Sequence, residues 1–298
     1  MKNHPSLNED SDQKALDKPL FSLTRRQFLK LGTSALLGAG LVTGGYASLF
    51  EPNMLEITRV TLHQRRLPKA FDGIKIAHFS DLHIGFHTDV KDVQRIVGAI
   101  NQEQPDLICF TGDMVDSSAE AMSEAVETLS GLKAPLGVLS IVGNHDFDNI
   151  RELIALQEKA GFTLLRNEHI LLERNGRGIA VVGLDDLLLG NPNLNRALKG
   201  IPERMYTLLL MHEPDYADIA AEYPFDLQLS GHSHGGQIRL PWMGAVITPP
   251  GSKKYISGLY KIGNPGMPLY VNRGIGTTRL PLRFLCKPEL TILTLRQA

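Results

Sequence analysis

Residues 229–237 read LSGHSHGGQ and place two histidines directly behind the apolar run FDLQL of residues 225–229. His232 and His234 are separated by one residue and flanked by glycines. If the apolar run is a buried strand, both imidazoles emerge at its carboxyl end, where glycine lets the backbone turn tightly. A lone loop histidine is usually a polar surface residue, so the meaning of this pair depends on what else lies near it.

Four further polar motifs follow apolar runs. They are FSDLHIG, CFTGDMVDS, SIVGNHDF and LLLMHEPD, which supply Asp81, His83, Asp113, Asp116, Asn144, His145, Asp146 and His212. Because open α/β sheets hold their ligands outside the carboxyl ends of the strands, we expect these side chains to converge in one crevice. Their oxygens and imidazoles, with those of His232 and His234, are too many for one divalent ion and suit two.

The body of the chain alternates predicted strands and helices. Apolar runs predict strands near residues 55–62, 74–80, 106–112, 137–143, 179–185, 206–212, 225–231, 269–274 and 289–295. Helical spacing predicts one helix over residues 90–100, capped by Thr88, and a second from Ile150 to a stop at Gly161. Several strands are continuously apolar, which indicates burial on both faces. We therefore predict an α/β fold, a layered sandwich of mixed β-sheets flanked by helices, with residues 51–298 as one domain.

Composition excludes some classes of partner. The chain has 298 residues, 43% of them hydrophobic, and its 31 Lys and Arg nearly balance 32 Asp and Glu. A nucleic-acid partner held mainly through its phosphates needs a basic face, and no basic block is present, so we do not expect such a partner.

Cys109 lies in the apolar run DLICF and is predicted to be a small core residue. Whether it pairs with Cys286 stays open.

The first fifty residues predict export. Residues 1–23 are polar and are predicted to be a disordered lead; TRRQFLK at Thr24–Lys30 then precedes residues 31–50, which carry no charge. Paired arginines before an apolar segment are typical of a twin-arginine signal, and a chance Arg-Arg on an amphipathic helix is the alternative. Small residues at Gly45 and Ala47 would suit cleavage, yet the segment is long enough to span a bilayer. We expect the twin-arginine export machinery as a partner, a location in the periplasm or on the outer face of the cytoplasmic membrane, and membrane contact if the segment is retained.

The ordered set DLH, GDMVD, GNHD, MH and GHSH resembles the calcineurin-like metallophosphoesterase superfamily over roughly residues 55–298. With GHSHGGQIRLP and the leader, the chain resembles most the exported bacterial phosphodiesterase branch, whose relatives include hydrolases of a nucleotide-linked lipid A precursor. The resemblance implies a metallophosphoesterase-type sandwich and two ions that share Asp113. It assigns one ion to Asp81, His83, Asp113 and His234, and the other to Asp113, Asn144, His212 and His232.

The resemblance also implies the chemistry. A hydroxide bridging the two ions would attack phosphorus in line with the departing alcohol. His145 would protonate the leaving oxygen or stabilise the transition-state charge, and the carboxylate of Asp116 would orient His145, with a helix cap as the alternative role for Asp116. Asp146 is expected to tie down its loop. Manganese is expected first among the metals, while iron, zinc, cobalt or nickel would suit the same donors.

Other polar residues carry weaker hypotheses. Arg273, Lys253 and Lys254 are predicted to bind a second phosphate or an anionic head group, with solvated loop charges as the alternative. His78 is predicted to be a core histidine and His87 a loop residue. Asp185 and Asp186 end an apolar run but are predicted to be structural, because the ligand set is already full.

Three hypotheses for function follow. The first is a phosphodiesterase that hydrolyses a phosphodiester or pyrophosphate bond of an envelope substrate, such as a lipid-linked or wall-linked phosphoester. The second is a phosphomonoesterase, which would use the same ligands, and the third is a non-catalytic metal-binding protein, against which the presence of His145 argues. Residues 242–268, rich in Pro, Gly and aromatics, are predicted to wall a pocket for an amphipathic substrate or to cover the sheet edge as a loop.

Overall fold

The computed structural model describes residues 23–264 and 266–298, and its contacts divide the chain into two units, Met1–Gly45 and Tyr46–Ala298. The described part of the first unit is helix α1, Arg25–Gly45. Thr24 starts it, because the Gln27 amide donates to Thr24 Oγ1 at 3.3 Å and the Thr24 amide donates to Gln27 Oε1 at 3.0 Å. The helical stretch Arg25–Asn53 is long and apolar enough to cross a membrane and is compatible with a signal or an anchor. The polar lead falls almost wholly outside the described residues, and the boundary at residue 50 stays a prediction.

The second unit holds strands joined by short helices. The strands are β1 Glu56–Gln64, β2 Ile74–Phe79, β3 Leu107–Thr111, β4 Val138–Ile141, β5 Thr163–Leu164, β6 Glu168–Arg174, β7 Arg177–Gly183, β8 Tyr206–Leu210, β9 Leu227–Ser230, β10 Arg239–Leu240, β11 Gly244–Ala245, β12 Gly258–Ile262, β13 Met267–Val271 and β14 Glu289–Gln297. The helices are α2 Val90–Gln102, α3 Glu120–Ser123, α4 Val126–Leu129, α5 Ile150–Lys159, α6 Leu194–Ala197 and α7 Ala217–Ala220.

Two six-stranded sheets form the body. Their strand orders are β1-β14-β2-β3-β4-β5 and β12-β13-β9-β8-β7-β6, and β10 pairs with β11 in a separate hairpin. In the first sheet β2, β3, β4 and β5 run parallel, and in the second β7, β8, β9 and β13 do; antiparallel pairs such as β14 with β2 make both sheets mixed. The predicted α/β sandwich of mixed sheets is therefore confirmed.

The core is layered. Side chains of both sheets meet in one buried cluster that contains Ile76 and Leu139 from the first sheet and Val181 and Leu208 from the second. Helices cover the opposite faces: α2 packs on the first sheet through residues such as Ile100, and α6 and α7 pack on the second. Strands buried on both faces hold their ends rigidly, which fixes the positions of the loops that follow them.

Some local predictions were wrong in detail. Asp89, not Thr88, caps α2, because its carboxylate accepts the Asp92 amide at 3.0 Å while Asp92 accepts the Asp89 amide at 3.1 Å. The prediction also missed β5, β6 and the short strands between residues 239 and 262. Cys109 and Cys286 are both buried and free, so no disulfide joins them.

A buried carboxylate ties the ends of β3 and β4 together. Asp146 accepts backbone N–H groups from Asp113, Met114 and Val115 after β3, at 2.8–3.2 Å, and from Gly143 after β4, at 2.9 Å. It serves the loop-fixing role expected from its position. Without it, four buried N–H groups would lose their acceptor.

Asp146→Ala is expected to lower the free energy of unfolding of the protein by roughly 3 kcal/mol or more, because each buried donor left unpaired costs about 1–3 kcal/mol. Urea denaturation would measure the loss. Asp148→Ala is the matched control, since Asp148 is an exposed acid two positions along the same loop and should change the stability by less than about 0.5 kcal/mol. Equal stability of the two variants would contradict the role of Asp146.

Candidate metal centre

The predicted ligands gather where the carboxyl ends of strands from the two sheets meet. Asp81 and His83 follow β2, Asp113 follows β3, Asn144 follows β4, His212 follows β8, and His232 and His234 follow β9. Backbone hydrogen bonds join the loops between the sheets, as from Gly276 N–H to the Asp81 carbonyl at 2.7 Å, and within the second sheet, as from Gly231 N–H to the His212 carbonyl at 3.1 Å. Residues far apart in sequence therefore share one crevice.

One cluster of donors contains Asp81, His83 and His234, all buried. His83 Nε2 lies 3.0 Å from His234 Nε2, which in turn lies 3.4 Å from Asp81 Oδ1. The Asp81 carboxylate also accepts the His232 amide at 3.1 Å, so its orientation is fixed. An oxygen and two nitrogens in this arrangement suit a divalent transition metal.

A second buried cluster contains Asp113, His212 and His232. His212 Nε2 lies 3.2 Å from Asp113 Oδ2 and 3.1 Å from His232 Nδ1. Asp113 Oδ2 also lies 3.6 Å from His83 Nε2 of the first cluster. A single carboxylate oxygen therefore stands between the two clusters.

The tautomers of His212 and His232 show why a cation fits there. His212 Nδ1 lies 2.6 Å from the Thr111 carbonyl and His232 Nε2 lies 2.7 Å from the Pro250 carbonyl, so these nitrogens are the donors. In the neutral rings the other two nitrogens present lone pairs to each other across 3.1 Å. Two lone pairs at that distance repel unless a proton or a metal ion lies beside them. Asn144 Oδ1 is also buried without a hydrogen-bond partner in the described part of the chain. The donor set therefore fits divalent metal.

The backbone at these ligands is strained. Asp81, His83, Asp113, His232 and His234 all have φ between +47° and +66°, a region that few residues other than glycine adopt. Each such residue costs on the order of 1–3 kcal/mol, and strain of this kind clusters at functional sites. Tight turns let donors two positions apart, such as His232 and His234, reach into the same crevice.

Glycine is required at Gly143, next to the donors. A Cβ atom there would overlap Asp113 Oδ1 and lie 2.7 Å from His212 Cε1. Only glycine lets the loop after β4 approach the carboxylate that stands between the clusters. The glycines around the histidine motif are explained in the same way, since a Cβ on Gly231 would overlap Ser80.

Burial and charge set the protonation of the ligands. Burial alone would raise the pKa of Asp113 and lower that of His212, but their mutual attraction holds the pKa of Asp113 well below its usual range and that of His212 well above. Burial lowers the pKa of His232 to about 4 and, with the charge of His83, holds that of His234 well below its usual range. At neutral pH His232 and His234 are therefore neutral and ready to bind metal, whereas a metal must displace a proton from His212.

His145 lies beside the first cluster, and one of its ring nitrogens already forms a hydrogen bond. Its Nδ1 donates to the backbone carbonyl of Asp116 at 2.5 Å, which leaves Nε2 free. The Asp116 carboxylate, predicted to orient His145, is 3.9 Å from that nitrogen and closer to His83, at 3.3 Å from Nδ1. The nearby His83 imidazole lowers the pKa of Asp116, although burial opposes it. In this geometry the peptide group orients His145 and the carboxylate contacts His83.

A pocket of about 460 Å³ opens beside the donors. The polar residues of its lining, here called the polar wall, include Asp113, Asn144, His145, His232 and His234. The apolar residues of its lining, here called the apolar wall, include Leu188, Ile238, Val246, Ile247, Pro249 and Leu280. Arg279 lies on the pocket lining and makes no ion pair among residues 23–264 and 266–298, yet sequence reasoning missed it. Its positive φ of 61° is the only unusual signal it carries, and no sequence pattern reports that.

The three cations predicted to bind substrate lie elsewhere. Arg273 pairs with Glu56 at 2.5 Å and with Glu289 at 3.1 Å, Lys254 pairs with Asp218 at 2.6 Å, and Lys253 donates to the Thr248 carbonyl. None of them lines the pocket. Their cationic groups already bind carboxylates and carbonyls of the fold. The sequence could not show these contacts.

The remaining polar residues have structural contacts. His78 is buried against Thr111 Oγ1 at 2.9 Å, and burial lowers its pKa to about 3. Asp185 accepts from Arg166 at 2.7 Å, and Asp186 accepts the amides of two leucines in the loop after β7. His87 lies outside the pocket lining.

Comparison with known proteins gives a consistent result. A family model described as calcineurin-like phosphoesterase matches residues 74–236. The Bacillus subtilis protein named uncharacterized metallophosphoesterase YkuE is 44% identical, over 92% of this chain and 98% of its own. The UDP-2,3-diacylglucosamine pyrophosphatase LpxG of Chlamydia muridarum is 27% identical, over 87% of this chain and 95% of its own. A Danio rerio transmembrane protein with metallophosphoesterase domain is 29% identical, over 88% of this chain and 62% of its own.

Asp116→Asn is expected to weaken metal binding by about 10–100-fold, because a carboxylate that orients a metal-binding imidazole also raises its basicity. Turnover should recover at saturating metal, since the peptide carbonyl that holds His145 is unchanged. Titration of the metal-free variant with manganese, followed by binding and by rate, would measure both effects. Glu120→Gln, an exposed acid in α3, is the matched control. A low rate at saturating metal would instead assign the carboxylate to His145.

Proposed function

Because this chain belongs to the calcineurin-like phosphoesterase family and is a phosphoric ester hydrolase, we propose that it hydrolyses a phosphodiester or pyrophosphate bond in a lipid-linked or wall-linked substrate of the cell envelope. One observation carries the proposal: two clusters of donors share the Asp113 carboxylate beside a pocket whose lining is otherwise largely apolar. The polar wall suits a phosphoryl group and the apolar wall suits a hydrocarbon leaving group or tail.

We assign two divalent ions to the crevice. Asp81, His83 and His234 would hold one, and Asn144, His212 and His232 the other, with Asp113 between them. When bound, the ions would supply Lewis acidity to the phosphoryl oxygens and acidify the attacking water. Manganese is the metal we propose, and iron, zinc, cobalt or nickel would suit the same nitrogen and oxygen donors.

His145 is the proposed general acid. Its Nδ1–H is held by the Asp116 carbonyl, so a transferable proton is carried by the other nitrogen, Nε2, when the ring is in its imidazolium form. Its backbone amide donates to Asp113 Oδ1 at 2.9 Å, which fixes the residue relative to the shared carboxylate. A proton delivered from Nε2 would neutralise the charge that develops on the leaving oxygen.

Arg279 is the proposed contact for a non-reacting phosphate or an anionic head group. It replaces Arg273, Lys253 and Lys254 in that role, because it lines the pocket and has no carboxylate partner in the described residues. A guanidinium can bind two phosphate oxygens at once. The pocket would then hold the reacting phosphoryl group at the donors and a second anion at its rim.

The apolar wall favours a diester or pyrophosphate over a monoester. A monoester presents only one organic group, whereas a substrate such as the UDP-2,3-diacylglucosamine in the name of the Chlamydia relative presents a nucleotide and a diacylated sugar. Phosphomonoester hydrolysis remains the alternative function, since the proposed ligands serve both reactions.

We also propose export by the twin-arginine route. Arg25 and Arg26 open α1, directly after the cap at Thr24 and before residues 31–50, which carry no charge. The compact unit from Tyr46 onward would then act in the periplasm or on the outer face of the cytoplasmic membrane. Retention of α1 would anchor it there.

Substrate class can be tested on the full chain in detergent, first stripped of metal and then supplied with manganese. Cleavage of bis-4-nitrophenyl phosphate should return with manganese and should exceed cleavage of 4-nitrophenyl phosphate. Cleavage of the monoester alone would replace the proposal with its alternative. The proposed function would be refuted if the protein bound metal but hydrolysed neither nitrophenyl ester nor a nucleotide-diphosphate lipid.

His145→Asn is expected to lower turnover by about 10²-fold or more and to leave bound metal unchanged, because His145 is not among the proposed ligands. The loss should be larger for an alkyl diester than for a nitrophenyl diester, since a poor leaving group depends more on the acid. Steady-state rates on both diesters would measure it.

His87→Asn is the matched control, because His87 lies in the loop after β2 that also carries His83, but it is off the pocket lining. It should retain nearly full activity. An equal loss on both diesters in His145→Asn would mean that His145 stabilises phosphoryl charge instead of donating a proton to the leaving group.

A further inference from the structure

We propose that the hairpin of residues 239–247, here called the docking tip, inserts into the head-group region of an anionic lipid bilayer. The tip contains β10, the turn around Trp242, and β11. The proposal rests on the proposed function for its substrate, because it lets the pocket take a lipid-linked phosphoester directly from the membrane.

The docking tip exposes large apolar side chains close together. Trp242 is fully exposed at 103%, Met243 at 75% and Ile247 at 73%. Single exposed apolar residues are ordinary, but three within six positions at the end of one hairpin form a patch that water does not favour. Tryptophan in particular prefers the interface of a bilayer, where its ring is buried and its N–H meets the head groups.

The patch continues into the pocket. Val246 and Ile247 of the docking tip line the pocket together with Leu188 and Leu280, and the same pocket is lined by donors such as His232. An apolar path therefore runs from the exposed tip to the site of the proposed chemistry. A lipid tail could remain in contact with apolar surface while its head group reaches Asn144 and His145.

The docking tip is held rigidly in its exposed position. The Arg239 amide donates to the Phe284 carbonyl at 2.8 Å, and the Phe284 amide donates to the Gln237 carbonyl at 3.0 Å. The Arg239 guanidinium donates to the Gly235 carbonyl at 2.9 Å, which joins the tip to the turn that carries His234. The exposure of Trp242 is thus built into the fold and is tied to the ligand loop.

The positive charge around the docking tip indicates that its binding partner is an anionic surface. Residues 227–288 contain eight Lys and Arg and no Asp or Glu. Carboxylates from other parts of the chain pair with Arg273 and Lys254, and Arg283 is buried, so five cations of this segment remain without an ion pair among the described residues. Arg239 and Arg279 flank the apolar patch, and neither forms an ion pair with any residue the structure describes. Two copies of this face would bring like charges together, whereas anionic phospholipid attracts each nearby cation by about 1 kcal/mol. The helical stretch Arg25–Asn53 would keep the protein near such a surface if it serves as an anchor.

Trp242 is the only tryptophan of the chain and therefore reports its own position. The full chain would be reconstituted in vesicles of equal parts phosphatidylglycerol and phosphatidylcholine. Docking predicts blue-shifted emission, loss of most intensity with brominated lipid, and protection from aqueous acrylamide, all weaker in phosphatidylcholine alone. Emission typical of water, quenched by acrylamide and unaffected by brominated lipid, would overturn the proposal.

A second variant, Trp242→Phe combined with Ile219→Trp, moves the only tryptophan to an exposed position of α7 off the pocket. Its fluorescence should be quenched by acrylamide and not by brominated lipid. Quenching of both proteins by brominated lipid would mean non-specific adsorption, and a concentration-dependent blue shift of Trp242 without vesicles would mean a second copy as the occupant. Either result overturns the proposal. The measurement reads position and not turnover, so it stands apart from a failure of the proposed hydrolysis.

Discussion

The position of one carboxylate oxygen governs the candidate site. Asp113 Oδ2 lies 3.2 Å from His212 and 3.6 Å from His83, imidazoles that belong to different sheets. Its backbone amide is bound by Asp146 and its other oxygen accepts the His145 amide, so the carboxylate cannot rotate freely. A shared ligand would bring the two proposed cations to the short spacing that phosphoryl transfer uses, and the arrangement is possible only because rigid strand ends converge there.

The packing of the fold compensates for unfavourable backbone conformations and buried polar groups at the site. Five of the proposed ligands adopt left-handed backbone conformations, and their carboxylates and imidazoles are buried, both of which are unfavourable for an isolated loop. Sheets buried on two faces and loops joined by Asp146 stabilise these conformations. The strain explains why the crevice is assembled from the ends of buried strands and not from surface loops, which would relax.

The sequence predicted what depends on local pattern. Apolar runs located the buried strands, and the polar motif at each strand end predicted that Asp81 and His212 share one crevice, although their strands lie in different sheets. Contacts between residues far apart in the sequence could not be predicted. No sequence pattern shows that the Asp116 carboxylate contacts His83 or that Glu289 forms an ion pair with Arg273. The short strands around Trp242 were missed because two-residue pairings carry no periodicity. The family and the α/β fold are confirmed, whereas the roles of the site residues stay predictions.

The two walls of the pocket contribute to different steps. Contacts between a hydrocarbon tail and Val246 or Leu280 are equal in the ground state and the transition state, so they lower KM without raising kcat. In their proposed roles, His145 and the donors around Asp113 would act where charge changes during the reaction, so they would raise kcat. Substrate choice would then depend on the apolar wall and on access from the membrane, while the polar wall sets the rate. Two enzymes with the same ligands could therefore act on different phosphoesters by differing only between residues 239 and 280, which is why the metal motifs identify the reaction but not the substrate.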